Sequence, residues 1–239
     1  MELQDELKLK KAKGFDLLYE VSRAISSNRY LEEILLLVVG MTAELMGSKI
    51  CSLMLLNEEK QELVIKATQS LSENYRTKPP IKVGESVIGR AVQQKQPITV
   101  RNVPHEKGYK YPEIAKTEGL RSLISVPMMI KNRVIGVLNC YTATEHEFTP
   151  DEVQLLVAVA NQAAVAIENT NLLAEKIAAV EALETRKRVE RAKGILMKRH
   201  QVNEAEAYRI LQRQSMDKRH SLKEIADAII VSEEIAANY

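Results

Sequence analysis

The sequence predicts an α+β protein: an antiparallel sheet flanked by helices, a long connecting helix of coiled-coil character, then a small three-helix bundle. Three observations predict it. The apolar period changes from 3.6 residues to two and back again along the chain. A seam of heptad spacing runs through residues 156–180. Beyond it, two capping boxes open short amphipathic helices in a segment crowded with Lys and Arg.

Taken in order, Leu3, Leu7, Leu17, Leu18, Val21 and Ile25 fall near helical spacing, and residues 26–28 interrupt them. Residues 1–14 are read as an N-terminal helical extension. A helix over residues 31–46 follows, with Ile34, Leu37, Val38, Met41 and Leu45 on one face and Gly47 where a C-terminal glycine cap belongs. The period then becomes two: Ile50, Ser52 and Met54, a polar turn at residues 57–60, then Leu63, Ile65 and Ala67 read as a hairpin. Residues 79–102 give a glycine-punctuated loop, a short helix over 86–93 and a strand over 97–100. Residues 103–120, with Pro104, Gly108, Pro112 and Gly119, read as a long irregular loop, a form usual in functional lids. A second hairpin spans 122–129 and 134–142. Thr149, Pro150 and Glu152 then start a helix strongly.

That helix carries Leu156, Val159, Ala163, Ala166, Thr170, Leu173, Ile177 and Val180 at alternating steps of three and four. Near Leu156 the seam serves the helix's own domain; by Ile177 a parallel homodimer explains it better. The pattern breaks at Glu184 and Lys187 and restarts as Val189, Ala192, Ile195 and Leu196. Asn203 with Glu206, and Ser221 with Glu224, are the two capping boxes.

Composition narrows the class. Of 239 residues, 45% are apolar, yet no run approaches the roughly 18 needed to cross a bilayer. The first residues lack the apolar core of a secretory signal, so the expected location is the cytoplasm, with no membrane partner. Cys51 and Cys140 are far apart in sequence and read as small buried apolar residues rather than a disulfide. Net charge is only +2, but residues 184–223 hold 12 Lys and Arg against five Asp and Glu, an excess of seven. Such asymmetry favours a polyanion partner for the C-terminal part.

With the elements in place, Ile81, Val83, Gly84, Glu85, Val87, Ile88, Gly89, Arg90 and Ala91, then Pro97 and Ile98, become recognisable. So do Gly119, Leu120, Arg121, Ser122, Val126 and Pro127, then Ile135, Gly136, Val137 and Leu138, and the run from Phe148 to Glu152. These blocks resemble a GAF domain, placed over residues 15–173, with residues 150–185 as an overlapping connecting helix. The tail, residues 182–239, resembles an ANTAR domain. Ala192, Lys193, Gly194, Ile195, Leu196 and Met197 carry that likeness, with Leu211, Arg213, Ser215 and Met216. The first resemblance implies a sensor with a ligand pocket between sheet and long loop, and names no cofactor. The second implies an RNA-binding transcription antitermination regulator acting on stem-loops of a leader transcript. Some ANTAR proteins carry a phosphorylated receiver; here the GAF-like domain takes that place, which points to ligand control.

Arg186, Arg188, Lys193, Lys198, Arg209, Arg213, Lys218 and Arg219 are the candidate RNA-binding residues, since converging cations neutralise phosphates. Tyr208 is the aromatic available for stacking on the first two tail helices. Gly194, in mid-helix, costs about 1 kcal/mol relative to Ala and suggests close approach of another backbone, either the neighbouring helix or RNA, the neighbouring helix first. Candidate ligand contacts are Met54, Ile65, Leu123, Ser125 and Asn139 on strands, with Tyr109 and Tyr111 from the loop; Met54 and Ile65 would serve equally well as plain core. His105 and His146 read as surface histidines, and Cys140 lacks the neighbouring His of the bilin-binding pattern. No catalytic triad, paired-carboxylate site or Walker loop emerges, so an enzyme is not expected. The alternative reading is a ligand-responsive DNA-binding regulator whose last two helices, joined across residues 215–220, form a helix-turn-helix. That joint reads as too wide for the motif.

Overall fold

The computed structural model describes residues 31–237 continuously, with residues 14, 16, 19, 20, 22 and 23, which are helical. The rest of the predicted N-terminal helix and extension lies outside the described residues. The chain divides into two compact units between Thr170 and Asn171.

The first unit opens with helix α1 (Leu31–Met46), whose Glu32 and Glu33 sit at the positive end of the helix dipole. Gly47 takes the left-handed conformation after its end, at φ 57°. Six strands follow: β1 (Ile50–Asn57), β2 (Glu62–Thr68), β3 (Ile81–Lys82), β4 (Ile98–Val100), β5 (Ser122–Ile130) and β6 (Arg133–Thr142). They form one antiparallel sheet in the order β3-β2-β1-β6-β5-β4. Between the strands lie the short helices α2 (Glu73–Arg76), α3 (Ser86–Gln94) and α4 (Pro112–Thr117). Helix α5 (Pro150–His200) then begins, capped reciprocally by Thr149 and Glu152.

Alternation along the strands gives the sheet two apolar faces. Cys51, Leu53, Ile124, Val126, Leu138 and Cys140 pack on α1 and on Leu156, Val159, Ala163 and Ile167 of α5. Ile50, Met54, Leu123, Val137 and Tyr141 face the other way, towards Tyr75, Val87, Ile88, Val103, Tyr109 and Leu120. Gly89 is required where α3 crosses the end of β3: a Cβ there would collide with the carbonyl oxygen of Lys82.

Two elements go beyond the expectation, α2 and β3. Residues 103–120 are also more regular than an irregular loop: they hold a 3-10 turn (Val103–His105) and α4. Pro104 stands at the second position of the 3-10 turn and Pro112 at the first of α4, where the missing N–H has no helical partner to lose. The prolines therefore start helices that they were expected to exclude.

The second unit consists of the C-terminal part of α5, α6 (Glu204–Lys218) and α7 (Leu222–Ala237). Val189, Ala192, Leu196, Ala207, Leu211, Ile225, Ala226 and Ile230 form its core. Both expected capping boxes are present: Asn203 with Glu206, and Ser221 with Glu224. The joint between α6 and α7 is tight rather than wide. Helix α6 continues to Lys218, and Arg219 closes it in a left-handed conformation at φ 54°, donating its N–H to the carbonyls of Ser215 and Met216. At Gly194 the expected close packing of a neighbouring helix is not found, since a Cβ there would meet no atom within 4 Å among the described residues.

Candidate functional site

In the first unit, strand register assembles a polar row inside an apolar core. Ser52 on β1 lies opposite Asn139 on β6, which lies opposite Ser125 on β5. All three are buried on the face away from α5. The Ser125 hydroxyl donates to Asn139 Oδ1 at 2.8 Å, while Asn139 Nδ2 has no partner. Ser52 shares a 2.8 Å hydrogen bond with the Tyr75 hydroxyl, and Tyr109 shares one of 2.9 Å with Tyr141. The rings of Tyr75 and Tyr141 meet edge to face, 6.0 Å between centroids. Over them stands Lys78, its Nζ 3.9 Å from the Tyr75 centroid and 6.0 Å from that of Tyr141. Burial, with no compensating carboxylate, lowers the Lys78 pKa to about 7. Burial likewise pushes the Tyr75 and Tyr141 hydroxyls well up and the Tyr109 hydroxyl to about 12, so all three stay neutral.

The structure brings Met54, Leu123, Ser125, Asn139 and Tyr109 together on this face, with Ile65 partly buried at its margin. Tyr111 is at the rim, its hydroxyl donating to the Pro79 carbonyl. The neighbouring Lys110 holds the loop to the start of α3 through Glu85 at 2.7 Å, a contact that keeps the Glu85 carboxyl below its ordinary pKa. Ser52, Tyr75, Lys78 and Tyr141 were missed. For Ser52 and Tyr141 the signal existed, because period two places them with Met54 and Asn139. Lys78 carried none: a lysine before Pro79 and Pro80 reads as a solvated loop charge.

Cys51 and Cys140, 89 residues apart, are directly opposed across β1 and β6 with their sulfurs 3.6 Å apart. Both are free, and burial, then the neighbouring sulfur, raises the Cys51 thiol. His105 is exposed and bonded to Asn102, and His146 is bonded to Glu152. Among the described residues no group of His, Cys, Asp and Glu could hold a metal, and no helix is long and apolar enough to cross a membrane.

In the second unit the basic candidates separate into two sets. Arg188 pairs with Asp227 at 2.8 Å. Lys193 is buried, 7% exposed, with its ammonium 2.6 Å from Glu204 and 2.9 Å from Glu190. These bonds raise its pKa and lower that of Glu204. Arg191 and Arg199, outside the candidate set, bind Glu234 and Glu233 of α7. Carried through residue 237, the local basic excess falls from seven to three, because α7 brings Glu224, Asp227, Glu233 and Glu234. Arg186, Lys198, Arg209, Lys218 and Arg219 are exposed and have no ion pair among the described residues; Arg213 stands 3.9 Å from Asp217. On α6, Arg209, Arg213 and the 73%-exposed Met216 share a stripe opposite the packed residues Ala207 and Leu211. Tyr208 borders it, 38% exposed.

An antiparallel sheet with α1 and the start of α5 on one face and a buried polar row on the other is a fold shared with known proteins. The GAF domain model matches residues 28–168, so the chain belongs to the GAF domain family. An ANTAR domain follows it, matched over residues 178–230. The transcriptional regulatory protein PdtaR of Mycobacterium tuberculosis is 43% identical over 63 residues, which are 26% of this chain and 31% of that protein. An Escherichia coli protein of the phosphoenolpyruvate-dependent phosphotransferase system is 23% identical over 66% of this chain and 21% of its own length. The chain thus spans a third or less of these curated relatives. Among solved structures, the GAF domain of a phosphoenolpyruvate-protein phosphotransferase from Coxiella burnetii superposes with a TM-score of 0.62 at 24% identity. It covers 69% of this chain and 98% of that one. Free methionine-R-sulfoxide reductase from Neisseria meningitidis gives 0.58 at 19% identity, over 67% of this chain and 91% of that one.

Proposed function

We propose that this chain is a signal-responsive, RNA-binding transcription antitermination regulator of the cytoplasm, regulatory rather than catalytic. The GAF domain takes a small ligand. The ANTAR domain binds RNA stem-loops of a leader transcript and prevents the terminator from forming. The observation that carries this reading is the exposed stripe Arg209, Arg213 and Met216 within an ANTAR domain, joined by the unpaired cations Arg186, Lys198, Lys218 and Arg219. Arginines of this kind meet phosphates, and Tyr208 offers a stacking surface. Arg188 and Lys193, candidates from sequence, serve in this reading to hold the bundle that presents the others.

A homodimer through the middle of α5 completes the proposal. Leu173, Ile177 and Val180 continue the heptad seam and are 57%, 52% and 52% exposed. A run of apolar side chains open to water is favourable to cover with an identical run from a second copy. The ligand core lies on the sheet face opposite α5, so the signal crosses the sheet. Strand β6 has Asn139 and Tyr141 on one side and Leu138 and Cys140 on the other.

The test is a gel shift of the full chain with stem-loop RNA and with duplex DNA of matched length, at two salt concentrations. RNA is expected to win at both. Arg209→Ala and Arg213→Ala are each expected to weaken binding and to flatten the logarithmic salt slope by about one. Unchanged binding by both variants rejects this surface. The tight joint between α6 and α7 supports a second reading, the helix-turn-helix, whose turn is equally short. Preference for the duplex would establish it.

A further inference from the structure

Lys78 is the single buried lysine or arginine of the sensor core among the described residues, and no aspartate or glutamate is buried anywhere among them. Its Nζ has aromatic rings beside it but neither a hydrogen bond nor an ion pair. In the same core Asn139 Nδ2 is buried and unpartnered, although the carbonyl end of that amide is engaged by Ser125. The two are linked through the row: Lys78 stands over Tyr75, Tyr75 bonds Ser52, and Ser52 is the register partner of Asn139. Both unmet groups are donors, and one is a cation. Leaving the Asn139 amide buried without a partner is costly, and Lys78, only 8% exposed, has no carboxylate beside it, so both groups favour an acceptor that the core does not itself supply.

We propose that this core binds a small organic monocarboxylate, its carboxylate taken by the Lys78 ammonium and the Asn139 amide. Charge balance sets the class. A dianion such as a phosphate monoester would leave one negative charge in a core with one cation. A cationic or zwitterionic ligand would bring a positive charge with no buried carboxylate to receive it. Each hydroxyl pair, Tyr109 with Tyr141 and Tyr75 with Ser52, uses one proton internally and keeps another to donate. The three tyrosine rings supply walls for an apolar or aromatic body.

The inference rests on the ligand-sensing half of the proposed function and is independent of RNA binding. Its proton linkage is specific. Burial holds the free lysine near pH 7, and an anion beside it restores the charge. Binding above pH 7 therefore takes up a proton, and affinity falls as pH rises. The groups facing the lysine, Tyr75 on α2 and Tyr141 on β6, are held neutral, as is Tyr109 bonded to Tyr141, and add no competing charge.

Titration calorimetry of the full chain tests this, with sodium benzoate and sodium butyrate as probes beside their uncharged amides, on either side of pH 7. A carboxylate is expected to bind and its amide to fail. Proton uptake above pH 7, read from buffers of different ionisation heat, should accompany it. Lys78→Met should weaken binding about tenfold or more. The uptake is read on the unmodified chain, so it holds even if that variant folds poorly. Binding of acid and amide alike would overturn the anion anchor and leave ligand sensing standing. Equal carboxylate binding by Lys78→Met would overturn the role of this lysine. Silence from acids and amides together would overturn the proposal and withdraw support from ligand sensing in this core.

Discussion

Lys78 and Lys193 are both buried, and their surroundings set them apart. Lys193 lies between Glu190 and Glu204 and is held charged; Lys78 has only aromatic rings and loses its proton early. For Lys78 the folded pKa, about 7, lies below the ordinary 10.5. Between those values the unfolded chain holds a proton that the native chain lacks, so stability from this group rises with pH. Lys78→Met is therefore expected to be more stable than the unaltered chain below pH 7. The gap should close at up to about 1.4 kcal/mol per pH unit towards pH 10. Urea unfolding of both across this range measures it, and curves that stay parallel would reject a depressed lysine. Lys193→Ala should instead lower the unfolding midpoint of the second unit, because it removes the bridge between α5 and the first turn of α6. Circular dichroism melts read this, and an unchanged melt would make the bridge incidental. The surroundings of Lys78 could not be read from sequence, since its neighbours come from other elements; for Lys193 only Glu190, three residues before it on α5, was local, and Glu204 was not.

At the scale of elements, local chemistry was legible and long-range chemistry was not. The capping pairs at Thr149, Asn203 and Ser221 lie three residues apart, and the structure contains all three. The hairpins followed from period two. Residues 103–120 were misjudged because proline at a first helical position resembles proline as a breaker until the hydrogen bonds are seen. Glycine misled in the opposite direction. Gly194 was expected to mark close packing, yet its place on α5 is open. Gly194→Ala is expected to stabilise the helix by about 1 kcal/mol. If stability rises while RNA binding falls, this part of α5 is approached by RNA or by a second copy; if binding is untouched, the glycine has no such role. On the same helix, Leu173→Glu or Ile177→Glu should dissociate the dimer in sedimentation equilibrium while leaving the melt of the first unit intact. A chain that sediments as a monomer before any substitution would reject the seam as an interface.

Across the whole molecule, the GAF and ANTAR assignments were accessible because their motif blocks recur in order along the chain, and both family models match where the blocks lie. The basic excess over residues 184–223 leaves out Asp227, Glu233 and Glu234, by which α7 binds Arg188, Arg199 and Arg191. Net charge along a segment does not distinguish cations facing a ligand from cations facing the protein's own carboxylates. The aromatic inventory has a further consequence. The chain has no Trp and eight Tyr; two of the eight, Tyr75 and Tyr141, stand beside Lys78, and Tyr109 is bonded to Tyr141. Near-ultraviolet absorption and emission of the native protein thus report in part on the sensor core without any label. In an alkaline spectrophotometric titration these three buried phenols should ionise in a late second step, as the core opens. A ligand that tightens the core would delay that second step, making the protein its own optical gauge of occupancy.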